Sequence, residues 1–371
     1  MELPPLTTAQ IVDAAHERVR DEKPRPHLGA SLIGHHCERW LWYSFRWVIQ
    51  EQFNGRMLRL FRRGQLEEDQ VIFDLRQAGL EVSERDPKTG QQYRISDGHF
   101  GGSLDGIITF GVPEAKAKNH VLEIKTHSKK SFTDMVKQGV KKAKPQHYAQ
   151  MQVYMLNTKI DRALYYSVCK DNDEIYTERV KLDKSFAESM HEKAQRIIAT
   201  DRPPEPISAD PSWFQCKFCA AHSLCHKNDV SEIKINCRTC LHFTANRDGT
   251  SSCNKWNDVI PVEYQHNGCP NHLINPYLVP YQFKGECKPD HVLYEHEGKQ
   301  MINGPDELKS SEIIAGINFA NEPLVKELKS LGAEIMPAVE EFTAPCHAQQ
   351  KEIGQALCDC KAIGDCWDIP F

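Results

Sequence analysis

The stretch Val121-Leu122-Glu123-Ile124-Lys125-Thr126 constrains this chain more than any other. It reads as a strand, and successive side chains on a strand point to opposite faces. Leu122 and Ile124 therefore share one face, and Glu123 and Lys125 share the other. A carboxylate and an ammonium on an otherwise apolar central strand are costly to bury without a purpose. Alone, the pattern also fits a surface strand carrying one ion pair. Upstream, however, Gly101-Gly102-Ser103-Leu104-Asp105-Gly106 places Asp105 in a glycine-bracketed turn that leads into another apolar strand. Asp105 and Glu123 can then meet at the ends of neighbouring strands. Two carboxylates and the main-chain carbonyl of Ile124 make an oxygen site suited to Mg2+ or Mn2+.

The order of elements around this strand is that of an α/β domain. An amphipathic segment near residues 8–20 comes first, followed by an expected helix over 31–47 with Ser31 as its cap. A second helix is expected over 57–78, where Leu58, Phe61, Leu66, Val71 and Leu75 follow a helical period. Short β-type runs then occupy 80–83, 92–96, 99–110 and 121–126. Helical patterns over 131–142 and 145–157 precede strands at 163–169 and 175–182 and a helix over 184–199. A polar, proline-rich linker covers 201–212. From about Asn236 the composition turns to Cys, His, Asn and Gly with little apolar periodicity, which predicts a small module organised by metal. One more helix is expected over 306–331, ahead of a tail holding Cys346, Cys358, Cys360 and Cys366. The expected layout is a core over 1–230, a Cys-rich module over 231–300, and a helix with a tail over 301–371.

Hydrophobic residues at 40% and charged residues at 26% of 371 positions describe an ordinary globular chain, not a disordered one. The net charge of −5 means that any contact with nucleic acid needs a local basic surface. Lys129, Lys130, Lys137, Lys141, Lys142 and Lys144 offer one, although a charge run is more often a solvated face. No apolar run reaches the length of a membrane-spanning helix, and the start lacks the layout of a secretory signal. A cytoplasmic protein without a membrane partner is expected. Fourteen cysteines in a reducing compartment do not suggest disulfides. Cys169 fits a buried thiol in an apolar strand, whereas Cys216, Cys219 and Cys225 have the spacing of metal ligands. Cys237, Cys240, Cys253 and Cys269 have the makings of a zinc-ribbon site, with His242 or His272 as a substitute ligand.

Together these motifs resemble the PD-(D/E)XK nuclease superfamily, in particular its RecB-type branch. Asp105 and the Glu123-x-Lys125 pair stand where that branch has its nuclease motif, and Gln150 and Tyr154 look like its Gln-x-x-x-Tyr motif. The segment around Glu67 and Glu68 resembles the helix that supplies a further metal ligand. The alignment favours Glu68, where many members have His. Cys37 upstream, with Cys216, Cys219 and Cys225 downstream, is similar to the four-cysteine [4Fe–4S] arrangement of AddB and the CRISPR-adaptation nucleases. Zinc is the competing occupant. The resemblance spans roughly residues 28–228. It implies a restriction-endonuclease-like core, a central mixed sheet flanked by helices, with a small Cys-rich C-terminal module. It further implies metal-dependent hydrolysis of DNA in which Asp105, Glu123 and Glu68 hold Mg2+ or Mn2+ and Lys125 acts on the attacking water. Gln150 and Tyr154 would support the site or touch DNA. The end-processing relatives point to an exonuclease of recombination or repair rather than a site-selective endonuclease or a non-cutting binder. A phage recombination exonuclease, working in the host cytoplasm with a single-strand-annealing partner, belongs to the same reading.

Overall fold

Val71 and Ile72 lie about one helical turn before Leu75, and all three are buried against Leu122, Ile124, Leu164, Tyr166 and Val168. That contact, a helix stripe laid on one face of a sheet, organises the computed structural model, which describes residues 6–19 and 23–315. The first elements are α1 (Thr8–Arg18), β1 (Leu28–Gly29), α2 (Glu38–Phe45) and the long α3 (Gly55–Gln77). Strands β2 (Glu81–Ser83), β3 (Arg94–Asp97), β4 (Phe100–Ser103), β5 (Gly106–Phe110) and β6 (His120–His127) follow. Helices α4 (Lys129–Gln138), α5 (Val140–Ala143) and α6 (Pro145–Thr158) lead to β7 (Arg162–Cys169), β8 (Ile175–Lys181) and α7 (Lys184–Ala199).

The central sheet has the order β2-β5-β6-β7-β8. Strands β6 and β7 are parallel, and the other neighbours are antiparallel. A parallel pair needs a long crossover, and α4, α5 and α6 supply it. Helix α3 covers the Leu122 and Ile124 face, while α6 contacts β6 and β7. A central mixed sheet flanked by helices is therefore the architecture, as the sequence predicts.

Two expected helices differ. The segment over 31–47 is helical only from Glu38, and Cys37 occupies the cap position without a side-chain cap bond. Ahead of it β1 pairs with β4, and the carbonyls of Ser31, Ile33 and His35 accept from Gln146 and Lys193. These tertiary partners displace the helix. Gly34 lets the segment approach α6, since a Cβ there would lie 2.6 Å from the Gln146 Cα. The helix expected over 131–142 breaks at Gly139, whose φ of 74° is easily reached only by glycine. The break frees the Val140 amide to donate to Glu178 at 2.7 Å.

Beyond the linker lie α8 (Phe214–Lys217) and α9 (His222–Lys227), then two three-stranded antiparallel sheets. The first joins β9 (Phe243–Ala245), β10 (Ser251–Cys253) and β11 (Asp258–Val259). The second joins β12 (Gln282–Lys288), β13 (His291–His296) and β14 (Lys299–Asn303). Leu273, Ile274, Val292, Tyr294 and Met301 are buried and give this region apolar side chains of its own. The described residues up to Ser310 form one compact unit. Of the helix expected over 306–331, Ser310–Ala315 is helical, while 306–309 form a turn and a bridge from Leu308 to Asn303 instead. The residues after Ala315 and the four tail cysteines lie outside the described residues.

The Cys-rich region is fastened to the core by Arg238, which is 1% exposed. Its guanidinium donates to the Gln265 side chain and to the carbonyls of Phe45 and Pro26 at 2.8–2.9 Å. It also stacks 3.9 Å from the Trp47 ring centroid. Burial pushes its pKa down to about 9, so carbonyl dipoles and aromatic faces carry the charge. Arg238→Met should lower the unfolding free energy by about 2–3 kcal/mol, because three buried acceptors lose their donor. Denaturant unfolding checks this, and a change within experimental scatter would contradict the clamp.

Candidate active site

Asp105 sits in the bend between β4 and β5, and its Oδ2 accepts from the Ile124 amide at 2.7 Å. The β5–β6 ladder ends at Gly106 and Leu122, so this side chain extends the pairing by one bond and is held against β6. Glu123 is 0% exposed and forms an ion pair with Lys125 Nζ. Beyond that pair, neither carboxylate oxygen has a hydrogen-bond partner among the described residues. Lys125 Nζ also donates to the Ile124 carbonyl at 3.0 Å and lies 3.8 Å from Asp105 Oδ2. The Ile124 carbonyl, expected as a metal donor, thus already accepts one hydrogen bond and keeps its second lone pair.

Glu68, on α3, faces the same place. Burial raises its pKa to about 7, Asp105 adds to the rise and Lys125 opposes it. Its neighbour Glu67 acts instead on Tyr166, across the helix. Burial pushes Glu123 up to about 8, against the pull of Lys125 and with a further push from Asp105. At Lys125 burial works against the charge, but Glu123 and Asp105 outweigh it and hold the ammonium above the ordinary lysine value.

Gln150 and Tyr154 are both buried. Gln150 donates to the Tyr154 hydroxyl at 3.3 Å, and that hydroxyl donates to the Ser103 carbonyl at 2.8 Å. A Cβ on Gly102 would lie 2.7 Å from the same hydroxyl, so glycine there makes room for it. The pair braces α6 against the strand end that carries Asp105.

The lysine run divides. Lys129 pairs with Glu174 at 2.6 Å, and Lys141 faces Asp183 at 3.7 Å and the Tyr148 ring at 5.0 Å. Lys130, Lys137 and Lys142 are exposed. The sequence reading passed over Arg56, Arg59, Arg62 and Arg63, which line an open recess on α3 with Leu60 and Leu66. At 3.6 residues per turn they lie on the side of α3 away from Glu68. It also passed over His127, His147 and Tyr165, which gather beside Lys125. The signal was available in His127, which shares a strand face with Glu123 and Lys125.

Cys37, Cys216, Cys219 and Cys225 line one recess with His35, Trp40, Tyr43 and Ile207. Burial raises the pKa of the last three cysteines, and the neighbouring thiols push each of them further. His35 and His222 turn their Nδ1 atoms to backbone groups. In the second set, burial raises Cys237 to about 11 and Cys240 to about 12, with Cys269 and Cys253 adding to both. Both ring nitrogens of His272 have partners in Thr239, Asn236 and Ser310. As the side chains stand, no group of three or more His, Cys, Asp or Glu among the described residues is arranged to hold a metal ion.

The chain belongs to the PD-(D/E)XK nuclease superfamily, which it matches over residues 3–226. Among solved structures it is similar to LHK-Exo in complex with dAMP, at 20% identity and a TM-score of 0.34 over 51% of this chain and 90% of that one. It is similar to an alkaline exonuclease (LHK-Exo) from Laribacter hongkongensis at 19% identity and a TM-score of 0.31, with the same 51% and 90% coverage. SSO0001 follows at 16% identity and a TM-score of 0.33, over 59% of this chain and 96% of that one. No curated protein matches the sequence. Among the described residues no helix is long and apolar enough to cross a membrane.

The histidine cluster has a consequence for acid stability. Burial holds His127 neutral and pushes its pKa from 6.5 down to about 4, with Lys144 and Lys125 adding to the effect. Below the ordinary value the unfolded chain binds more protons than the folded one, so stability falls as pH drops from 6.5 toward 4. The share of His127 should be on the order of 2 kcal/mol at pH 4.5. The stability gap between wild type and His127→Gln should therefore narrow between pH 7 and pH 4.5 in metal-free denaturant unfolding. A gap that stays constant would contradict a neutral buried His127.

Proposed function

We propose that the protein is a divalent-metal-dependent exodeoxyribonuclease that hydrolyses phosphodiester bonds from the ends of linear DNA. One observation carries the reading: Glu123 is a fully buried carboxylate whose only partner among the described residues is Lys125, and it stands beside Asp105 and Glu68. A carboxylate left so is costly unless a cation joins it. Three carboxylates and the Ile124 carbonyl are the hard oxygen donors that Mg2+ or Mn2+ takes, so the residues fit the ion. Bound there, the ion supplies charge that polarises the phosphate and lowers the pKa of a water. Lys125, kept protonated beside the carboxylates, orients the attacking water and meets the negative charge that develops on the phosphate. Asp105 is held in place by the Ile124 amide, and Gln150 with Tyr154 braces the strand end behind it. Lys129, Lys130, Lys137, Lys141 and Lys142 are the exposed cations of the run, available to the DNA backbone. Action from ends, in recombination, repair or end processing, is supported by the resemblance to end-processing members of the RecB-type branch. DNA, and a recombination or single-strand-annealing protein, are the partners that go with it.

Cys37, Cys216, Cys219 and Cys225 fit a [4Fe–4S] cluster, since four thiols line one largely apolar recess. The cluster would staple the two ends of the nuclease region, closing the long loop between Cys37 and Cys216. Cys237, Cys240, Cys253 and Cys269 are the zinc ligands of the same reading.

Anaerobically purified protein with Mg2+ or Mn2+ should degrade end-labelled linear DNA and leave closed circular DNA intact. Lys125→Ala and Glu123→Ala should each lower the rate by about a thousandfold or more, in line with loss of a principal charge-stabilising group. Cutting of the circle would replace the end-processing mode by an endonuclease. Wild-type rates in both variants would remove the site assignment. Iron and sulfide analysis should find a cluster in wild type that is lost, with a lower unfolding temperature, in Cys37→Ser. Zinc in place of iron would overturn the cluster.

A further inference from the structure

Glu123, Lys125 and His127 occupy alternate positions of β6 and share one face of the sheet. Across the parallel pairing with β7, Tyr165 is in register with Glu123 and Ser167 with Lys125. Yet the Tyr165 hydroxyl lies 2.9 Å from His127 Nε2, at the far end of the trio. The phenol ring therefore runs along β6 from the level of Glu123, past Lys125, to His127. His147, near the start of α6, meets the same hydroxyl through Nδ1 at 2.9 Å. Ser131 Oγ lies 3.2 Å from His127 Nδ1, and Lys144 Nζ donates to Ser131 at 2.5 Å. One chain of hydrogen bonds thus links α4, β6, β7 and α6 beside Lys125, and it contains no carboxylate.

The proton inventory of this chain is simple. A phenol has one proton to give and lone pairs to accept with, so one imidazole nitrogen accepts from it and the other donates to it. Every member is then neutral except Lys144. Burial and the nearby lysines keep both imidazoles uncharged.

We propose that Tyr165, fixed between His127 and His147, is a positioning residue that holds the Lys125 ammonium against Glu123 and Asp105. The proposal rests on the role assigned to Lys125 above. A lysine stem is flexible, and its ammonium follows whatever anion it can reach. The Tyr165 ring walls the stem on the β7 side. The members of the hydrogen-bonded chain offer the ammonium no anion, so Glu123 and Asp105 are the anions it reaches. Small displacements of a reacting group are enough to lower a rate severalfold or more.

The test uses Tyr165→Phe, His147→Ala and His147→Gln in the full chain. The readouts are kcat and KM on end-labelled linear duplex DNA with Mg2+, Mn2+ affinity and the unfolding temperature. Tyr165→Phe and His147→Ala should each lower kcat about tenfold, with KM and Mn2+ affinity within about twofold of wild type. His147→Gln, whose amide can restore a bond to the hydroxyl, should recover most of the rate. Wild-type kcat in folded Tyr165→Phe and His147→Ala would overturn the proposal. So would a loss matched by weaker Mn2+ binding, or His147→Gln no better than His147→Ala. If Tyr165→Phe does not fold, the two His147 variants decide. Lys125→Ala separates the two levels: if it cuts like wild type, the role of Lys125 itself fails. If it is dead while Tyr165→Phe is fully active, only the positioning fails.

Discussion

A carboxylate and an ammonium side by side on the middle strand of a sheet set the terms for everything packed around them. Glu123 has no solvent to stabilise it, and Lys125, the cation paired with it, also serves Asp105. Desolvation of such a pair commonly outweighs its mutual attraction, so the fold must supply further partners. It does so in part: the Ile124 amide holds Asp105, and α6 braces the strand end through Tyr154, whereas α3 adds Glu68, a like charge that pushes Glu123 further up. Even so, the acidic oxygens outnumber the cations at the site, and that imbalance is what a divalent ion would correct.

The two faces of the central sheet divide the work. Leu122 and Ile124 pack under α3 as ordinary core, while the opposite face carries Glu123, Lys125 and His127 under α6. Strand alternation therefore lets one eight-residue strand serve as both core and site. The Cys-rich region is tied to this body through Arg238 and Arg46, buried cations held by carbonyls and aromatic rings. Both cysteine sets lie within that single compact unit.

The alternation of β6 made its charged face legible from sequence, and the glycines around Asp105 marked the adjoining turn. The helix over 184–199 was equally legible, because its apolar period is clean and Asp183 caps it. The segment over 31–47 was not, because the bonds that stop it from being helical come from Gln146 and Lys193, more than a hundred residues away. Strands β12 to β14 escaped notice because their sheet is polar on much of its surface and its apolar side chains are few. His147 and Tyr165 escaped for a related reason. Each is unremarkable in its own element, and only the crossover brings them together at His127. The arginines of α3 were legible as charge but not as one recess, because only the pitch of the helix gathers them on one side.

The central claim is that Asp105, Glu123 and Glu68 together form a site for a divalent cation. Crystals soaked in Mn2+ and measured for anomalous scattering test it most directly. The account predicts a peak between these three carboxylates, with Mn2+ about 2.0–2.3 Å from oxygens of Asp105 and Glu123, and its loss in Glu123→Gln. A peak elsewhere, with those carboxylates still turned to Lys125, would contradict it.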